Sequence, residues 1–134
     1  MYHFSTRLKG DPDTIEQQLV SALGAEGFGV LTEIDVQATF KKKLGIESRP
    51  YKILGACNPP LAHQAISAEP DIGLLLPCNV VIREEEDRSV TVAFMDPVSV
   101  FTLIERDDVA PLASEVRARL ERVRDALGGE VQDQ

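Results

Sequence analysis

An abrupt change from apolar residues to helix-starting residues at Cys57 limits how this chain can fold. The apolar run that ends at Cys57 is followed at once by Asn58, Pro59 and Pro60. Asparagine is a good N-cap, and proline suits the first turn of a helix because the N–H it lacks would have no partner there. The pattern predicts a strand that ends at a cysteine and leads directly into a helix over residues 59–68.

A second apolar run, residues 73–83, carries the other cysteine, Cys78, directly after Pro77. Proline has no N–H to donate to a neighbouring strand, so Pro77 predicts a bulge or an edge position in this strand. The two cysteines do not form a Cys-x-x-Cys pair, which argues against a thioredoxin motif and a zinc finger. If the two strands are neighbours, the sulfur atoms of Cys57 and Cys78 approach each other.

Apolar periodicity along the rest of the chain predicts a mixture of strands and helices. The predicted strands are residues 2–8, 30–36, 51–57, 73–83 and 90–95, and the predicted helices are residues 12–24, 36–44, 59–68 and 108–128. Alternation over residues 30–36 predicts a strand with one buried face. Residues 98–104 fit either a strand or a short helix.

This order of elements predicts an α+β fold. We expect a single two-layer domain over residues 1–128, with a largely antiparallel sheet of about five strands, helices packed on one face and a long C-terminal helix. Residues 129–134 are expected to be a frayed tail. A chain of 134 residues can bury a core without the help of a metal or a disulfide.

The composition of the chain argues against some classes of partner and indicates a cellular compartment. The net charge of −8 disfavours a nucleic-acid partner, which would require a basic surface. No apolar stretch approaches the roughly 20 residues that cross a bilayer, so no membrane insertion is expected. The first residues lack the layout of a signal peptide, and two cysteines are most simply free thiols in a reducing compartment. We therefore expect a cytoplasmic protein.

Three short segments resemble one known family. They are Leu-Gly-Ala-Cys-Asn-Pro at residues 54–59, Leu-Pro-Cys at residues 76–78 and Asp96-Pro97. Together they resemble the family called domain of unknown function 302, with a core over about residues 35–97. The resemblance implies a compact two-layer α/β unit that is often a homodimer. The family has no established biochemical role, so the resemblance names no reaction and no cofactor.

Cys57 is the first candidate for chemistry. A thiol at the start of a helix lies near unpaired N–H groups and the positive end of the helix dipole, which favour the thiolate. A thiolate would make Cys57 a nucleophile or a metal ligand. The alternative is that Cys57 and Cys78 are small buried apolar residues, as free cysteines commonly are.

The other candidates have structural alternatives too. Asn58 is well suited to cap a helix, and Asp96 before a proline marks the end of a strand. The spacing of the cysteines, His63 and Asp96 matches no standard zinc pattern, so no metal ligands are assigned. The candidate ligand-binding residues are Cys57, Asn58, Pro59, Cys78 and Asp96.

Three functions remain open. The first is the binding of a small ligand or a redox partner near the Cys-Asn-Pro junction, because two apolar strands each break at a Cys-Asn pair beside proline. The second is a non-catalytic homodimeric binding or scaffolding domain. The third is a thiol-redox or metal-dependent enzyme. No standard hydrolase, kinase or dinucleotide motif occurs, so whether the chain is an enzyme stays open.

Overall fold

The computed structural model describes residues 1–132, and six antiparallel strands form one open sheet with helices against it. The strands are β1 (His3–Leu8), β2 (Gly29–Asp35), β3 (Tyr51–Cys57), β4 (Cys78–Glu84), β5 (Val90–Met95) and β6 (Glu130–Gln132). The helices are α1 (Pro12–Ala25), α2 (Val36–Leu44), α3 (Pro59–Ala68), α4 (Pro97–Val100) and α5 (Ala110–Leu127). The strand order across the sheet is β2-β3-β4-β5-β1-β6.

Helices α1 and α5 cover one face of the sheet, which we call the covered face. Alternate residues of the central strands point to it and are fully buried, among them Leu54, Val80 and Phe94. The apolar stripes of α1 and α5 pack on these strand residues because three- to four-residue spacing places them on one side of each helix. The stripe residues are Ile15, Leu19, Leu23, Val116, Leu120 and Val123.

A second apolar cluster lies at the end of the sheet where β3 stops. Helix α3, two 3₁₀-helices (Pro70–Leu75 and Phe101–Leu103) and the start of α5 form it. Its buried residues are Ala65, Ile72, Phe101, Val109 and Ala113. The cluster closes the covered face beside the Cys-Asn-Pro junction.

The α+β fold, the antiparallel sheet, the helices on one face and the long C-terminal helix are confirmed. The sheet has six strands because residues expected to be frayed form β6, in which Val131 pairs with Thr6 of β1. Gly128 and Gly129 both have positive φ, 73° and 80°, and turn the chain back onto the sheet edge. The last two residues of the predicted tail, 133–134, lie outside the described residues.

The second apolar run departs from the prediction of a strand over residues 73–83. Its first part is the 3₁₀-helix Pro70–Leu75, and the strand begins only at Cys78. Pro77 therefore precedes the strand and requires neither a bulge nor an edge position. Residues 98–104, which fitted either element, form the end of α4 and the 3₁₀-helix Phe101–Leu103.

The prediction of a buried face for residues 30–36 is wrong. Strand β2 has no buried residue, because it is the edge strand of the sheet. Ile66 of α3 is 45% exposed, and Arg124 of α5 lies 5.3 Å from the ring centroid of Phe4. Across residues 1–132, no helix is both long and apolar enough to cross a membrane.

Candidate functional site

The two cysteines lie on neighbouring strands beside one small cavity. Ala56 of β3 pairs with Cys78 of β4, so Cys57 is one residue along from the residue opposite Cys78. Both cysteines line a cavity of about 30 Å³ at the junction of β3 and α3. The cysteines are not bonded to each other. The sequence left open whether these two strands are neighbours, and the pairing of β3 with β4 shows that they are.

The rest of the cavity wall is almost entirely apolar. Helix α3, the residues before β4 and the first half of α5 supply the larger side chains, with one more from the loop after α1. These side chains are Leu61, Leu76, Phe101, Leu112, Val116 and Phe28. Asn58 and Pro59 start the helix that forms one side, and Asn58 itself lines the cavity. A cavity of this size and polarity admits a group about as large as a methyl.

Burial raises the pKa of both thiols. The pKa of Cys57 lies above its ordinary value because the group is partly desolvated. The pKa of Cys78 is raised to about 12, first by burial and second by the nearby charge of Cys57. Desolvation disfavours the charged form of an acid, so both cysteines are neutral thiols at pH 7. Of the two alternatives for Cys57, the raised pKa therefore opposes the activated thiolate.

The start of α3 explains why it does not activate the thiol. Pro59 and Pro60 occupy the first two helical positions and have no N–H to offer. The amide N–H of Leu61 donates to Asn58 Oδ1 at 3.3 Å, and that of Ala62 donates to the Asn58 carbonyl at 2.9 Å. The amides of the first turn are thus absent or already satisfied, and none is left for a thiolate.

Asn58 is a confirmed helix cap that also joins two parts of the fold. Its Nδ2 donates to the carbonyl of Glu26, at the C-terminal end of α1, at 3.5 Å. Arg119 Nη1 donates to the same carbonyl at 2.9 Å. Gly27, with φ of 85°, allows this close approach because a Cβ there would lie 2.9 Å from Asn58 Nδ2. Asn58 therefore fixes α3 against α1 and α5.

Asp96 does not line the cavity and lies where β5 leads into α4. It is only 4% exposed, and its Oδ1 accepts from the amide of Val98 at 2.9 Å, which makes it the N-cap of α4. Its Oδ2 lies 3.1 Å from Arg117 Nη1 on α5. Arg117 follows Val116, which lines the cavity. Asp96 is thus tied to the α5 wall of the cavity through an ion pair.

Gly55, in the middle of β3, marks a close approach of neighbouring side chains. A Cβ at this position would lie 2.6 Å from Pro77 Cγ and would also overlap Thr32 Oγ1 of β2. Pro77 is one of the residues that line the cavity. A glycine inside a strand commonly marks such a close approach, and here the neighbours are protein side chains.

Comparison with known proteins agrees with this architecture. A family model described as Domain of unknown function DUF302 matches residues 4–127. The chain belongs to the DUF302 family. It is similar to the crystal structure of an uncharacterized conserved protein DUF302 from Bacillus stearothermophilus, with a TM-score of 0.88 and 25% identity over 95% of this chain and 98% of that chain. No curated protein matches the sequence.

In this DUF302 protein, two of the three recognised segments meet at the cavity. The segments around Cys57 and Cys78 line it, whereas Asp96-Pro97 caps α4 outside its wall. His63, considered as a metal ligand, is exposed on α3. Among the described residues, no three His, Cys, Asp or Glu side chains are grouped to hold a metal ion.

Sequence reasoning missed a larger groove on the opposite face of the sheet. Its volume is about 400 Å³, and side chains from β1, β3, β4, β5 and β6 line it, including Arg7, Arg83 and Thr91. These residues are far apart in the sequence and belong to no motif. Only the strand order and register bring them together, so the sequence signal was limited to polar residues at alternate strand positions.

Proposed function

We propose that this DUF302 protein binds a small ligand by taking an apolar group of it into the cavity beside Cys57 and Cys78. The observation that carries the proposal is that both cysteines line one apolar cavity while burial holds both thiols neutral. A neutral thiol is a poor nucleophile, so reversible binding is favoured over thiol chemistry. Asn58, Pro59 and Asp96 position the surrounding helices.

The energetics of such binding come from apolar contact. A methyl-sized group in the cavity would contact Leu61, Leu76 and Phe101 and would gain about 0.8 kcal/mol per buried CH₂. The thiols add polarizable surface without a charge that must be desolvated. Most of the ligand would lie outside the cavity, so its remaining groups would set the affinity.

A titration with 1-propanol, followed by NMR of the side-chain methyls, tests this site. The methyl signals of Leu61 and Leu76 are expected to shift with 1-propanol and to stay in place with 1,3-propanediol, whose second hydroxyl would be desolvated. Ala65→Val adds two methyls to the cavity wall and should abolish the shifts. The control Ala68→Val changes the same helix outside the wall. Equal shifts in both variants, or with both alcohols, would refute the site.

A second candidate function is homodimer formation through β2 and α2. Large apolar side chains are exposed on these consecutive elements: Leu31 is 66% exposed and Leu44 is 63% exposed, and Ile34 and Phe40 are exposed too. Strand β2 is also the edge of the sheet. An exposed apolar edge strand favours pairing, and the copy of the same edge supplies a self-complementary partner.

Sedimentation velocity tests this second candidate. A dimer at micromolar concentration is expected, and Leu31→Glu or Leu44→Glu should convert it to a monomer by placing a charge in the interface. Leu74→Glu is the control, because Leu74 is also an exposed leucine, 87% accessible, but lies in the 3₁₀-helix Pro70–Leu75. A monomeric parent protein would exclude this function.

The compartment is a part of the proposal as well. The two neighbouring cysteines are unpaired, which suits a reducing environment such as the cytoplasm. Blocking of thiols immediately on cell lysis, followed by mass spectrometry, would find both cysteines reduced. A recovered disulfide between Cys57 and Cys78 would contradict a cytoplasmic location.

A further inference from the structure

The open face of the sheet, opposite α1 and α5, carries aligned rows of side chains. Strand pairing sets Tyr51 beside Arg83, Arg83 beside Thr91, and Thr91 beside Arg7. Residues that pair directly across antiparallel strands point to the same face. This row therefore crosses four strands, and all of its members line the groove of about 400 Å³.

Polar atoms in this groove are buried without a partner. Thr91 is 2% exposed, and its Oγ1 has no hydrogen-bond partner among residues 1–132. The same holds for Arg7 Nε and for His3 Nδ1, which also line the groove. A buried polar group without a hydrogen bond is costly, and such groups are rare in native proteins. Three of them in one groove indicate that a ligand supplies the partners.

The fully charged side chains that line the groove are both arginines, Arg7 and Arg83, although the whole chain carries −8. Arg83 Nε donates to Glu85 Oε1 at 2.9 Å, and Arg7 Nη2 donates to Glu85 Oε2 at 3.3 Å. One carboxylate thus fixes two guanidinium groups, and one positive charge remains uncompensated within this trio. Because Glu85 binds Arg7 through Nη2, the Nε–H of Arg7, on the residue that pairs with Thr91, has no partner among residues 1–132.

Apolar and aromatic side chains form the rest of the groove. Tyr51 lies at one end of the charged row, and Tyr2 lies on the rim at the other side of the groove. Between them the next row contributes Val81 and Ala93, which pair with each other. The groove therefore offers one cationic end and a flat apolar floor, in the volume range of small-molecule sites.

We propose that the groove is a binding site for a small organic carboxylate. The carboxylate accepts hydrogen bonds from Arg7 Nε and Thr91 Oγ1, and its apolar body lies on Val81 and Ala93 beside Tyr51. A charge-assisted bond to a fixed guanidinium is stronger than a neutral one, so the carboxylate is favoured over a neutral analogue. The site lies on the opposite face from the Cys57 cavity and stands independently of the function proposed above.

A second copy of the chain is a poorer occupant of the same groove. Two-fold pairing would place the same cationic patch on both sides of the interface, and like charges facing each other are costly. A small anion instead pairs with the second guanidinium charge and gives Arg7 Nε and Thr91 Oγ1 a partner.

Calorimetric titration with benzoate, compared with benzyl alcohol, tests the site. Benzoate is expected to bind saturably, at least tenfold more tightly than benzyl alcohol, and to shift the amide signals of Thr91 and Ala93. Arg7→Gln should weaken benzoate binding at least tenfold, and Thr91→Val should weaken it about threefold. Arg106→Gln is the control, because Arg106 is an exposed arginine that also pairs with a carboxylate, Asp108.

Several results would overturn the proposal. Equal binding of benzoate and benzyl alcohol, or equal losses in Arg7→Gln and Arg106→Gln, would show that the groove does not recognise a carboxylate. A dimer that protects the amides of Thr91 and Ala93 from exchange would show that a second copy of the chain, and not a carboxylate, covers the open face. If the Arg7→Gln variant does not fold, the Thr91→Val variant is the test of the site. This nearly isosteric change removes only the hydroxyl, so the fold should be retained. Unchanged benzoate binding in Thr91→Val would then refute the site.

Discussion

The two faces of the sheet differ in whether a buried threonine hydroxyl has a hydrogen-bond partner. Thr6, on the covered face, is fully buried, and its Oγ1 donates to the carbonyl of Gly128 at 2.8 Å. Thr91, one strand away on the open face, is buried almost as deeply, and its Oγ1 has no partner in the described part of the chain. The two hydroxyls are buried alike, but only the one on the covered face is hydrogen-bonded within residues 1–132. In the carboxylate site proposed above, Thr91 Oγ1 is the group that the ligand would satisfy.

The largest expected difference between the faces is in apolar packing, and two neighbouring residues of β3 measure it. Leu54 is fully buried on the covered face, and Ile53 is half-buried on the open face. Leu54→Ala should lower the free energy of unfolding by about 2–5 kcal/mol, because it leaves a cavity between strand and helices. Ile53→Ala should cost about half of that or less. Urea denaturation of both variants measures the difference.

Equal losses in the two variants would mean that the open face is as well packed as the covered one. That result would indicate that a bound partner or a second chain covers Ile53. It would contradict the difference in packing between the two faces. Sedimentation of the same samples would then identify a second copy as the cause.

Two carboxylates that pair with arginine give the next largest difference. Asp96 pairs with Arg117 of α5, and the side chain of Asp96 is 6% exposed. Glu85 pairs with Arg7 and Arg83 on the open side, and its side chain is 25% exposed. Asp96→Asn keeps a capping oxygen but removes the buried charge, and should cost about 2 kcal/mol. Glu85→Gln should cost at most about 1 kcal/mol, because water screens its pairs.

Thermal unfolding followed by circular dichroism at low and at 1 M salt checks these values. The loss in Asp96→Asn should persist at high salt, since a buried pair is screened little. A loss in Glu85→Gln that exceeds the loss in Asp96→Asn would mean that the trio on the open face is a structural element rather than a binding element.

Local sequence signals predicted the elements well and the long-range arrangement less well. Asp11 and Asn58 accept from the amides of Thr14 and Leu61 as N-caps, and both helices begin where these caps and the following prolines indicated. A cap depends on four neighbouring residues, so the sequence contains its whole cause. The six-stranded register depends on contacts across the chain, such as Thr6 with Val131, which no local pattern encodes.

The same distinction explains what happened to the candidate site. The sequence located Cys57 and Cys78 on two strands, but only the pairing of β3 with β4 brings the two residues together. The raised pKa values did not follow from the sequence, because they result from apolar side chains that α3 and α5 bring over the sulfurs. Arg7, Arg83 and Thr91 were missed because only the pairing of β4, β5 and β1 brings them into one row.

The buried threonines themselves give a smaller and more specific difference. Thr6→Val should lower the free energy of unfolding by about 1 kcal/mol, because the carbonyl of Gly128 loses its donor. Thr91→Val should leave stability unchanged or raise it, because no bond in the described chain is lost and a buried hydroxyl is removed. Urea denaturation in the absence of benzoate measures both. A loss of 1 kcal/mol in both variants would show that Thr91 Oγ1 is satisfied within the protein.

The smallest expected effect concerns Cys78, whose thiol faces the covered side of the sheet. Its folded-state pKa is raised from 9.0 to about 12 by burial, so the folded chain holds this proton after the unfolded chain has released it. Stability from this group is therefore complete below pH 9 and falls as the pH rises towards 12. At pH 9 the loss relative to pH 7 is about 0.4 kcal/mol. Urea denaturation at pH 7 and pH 9 should show a loss about 0.4 kcal/mol greater in the parent protein than in Cys78→Ala, in which only the other titrating groups remain. A greater loss in Cys78→Ala than in the parent would place an ionised, activated thiol at Cys78 and would reopen thiol chemistry at the cavity.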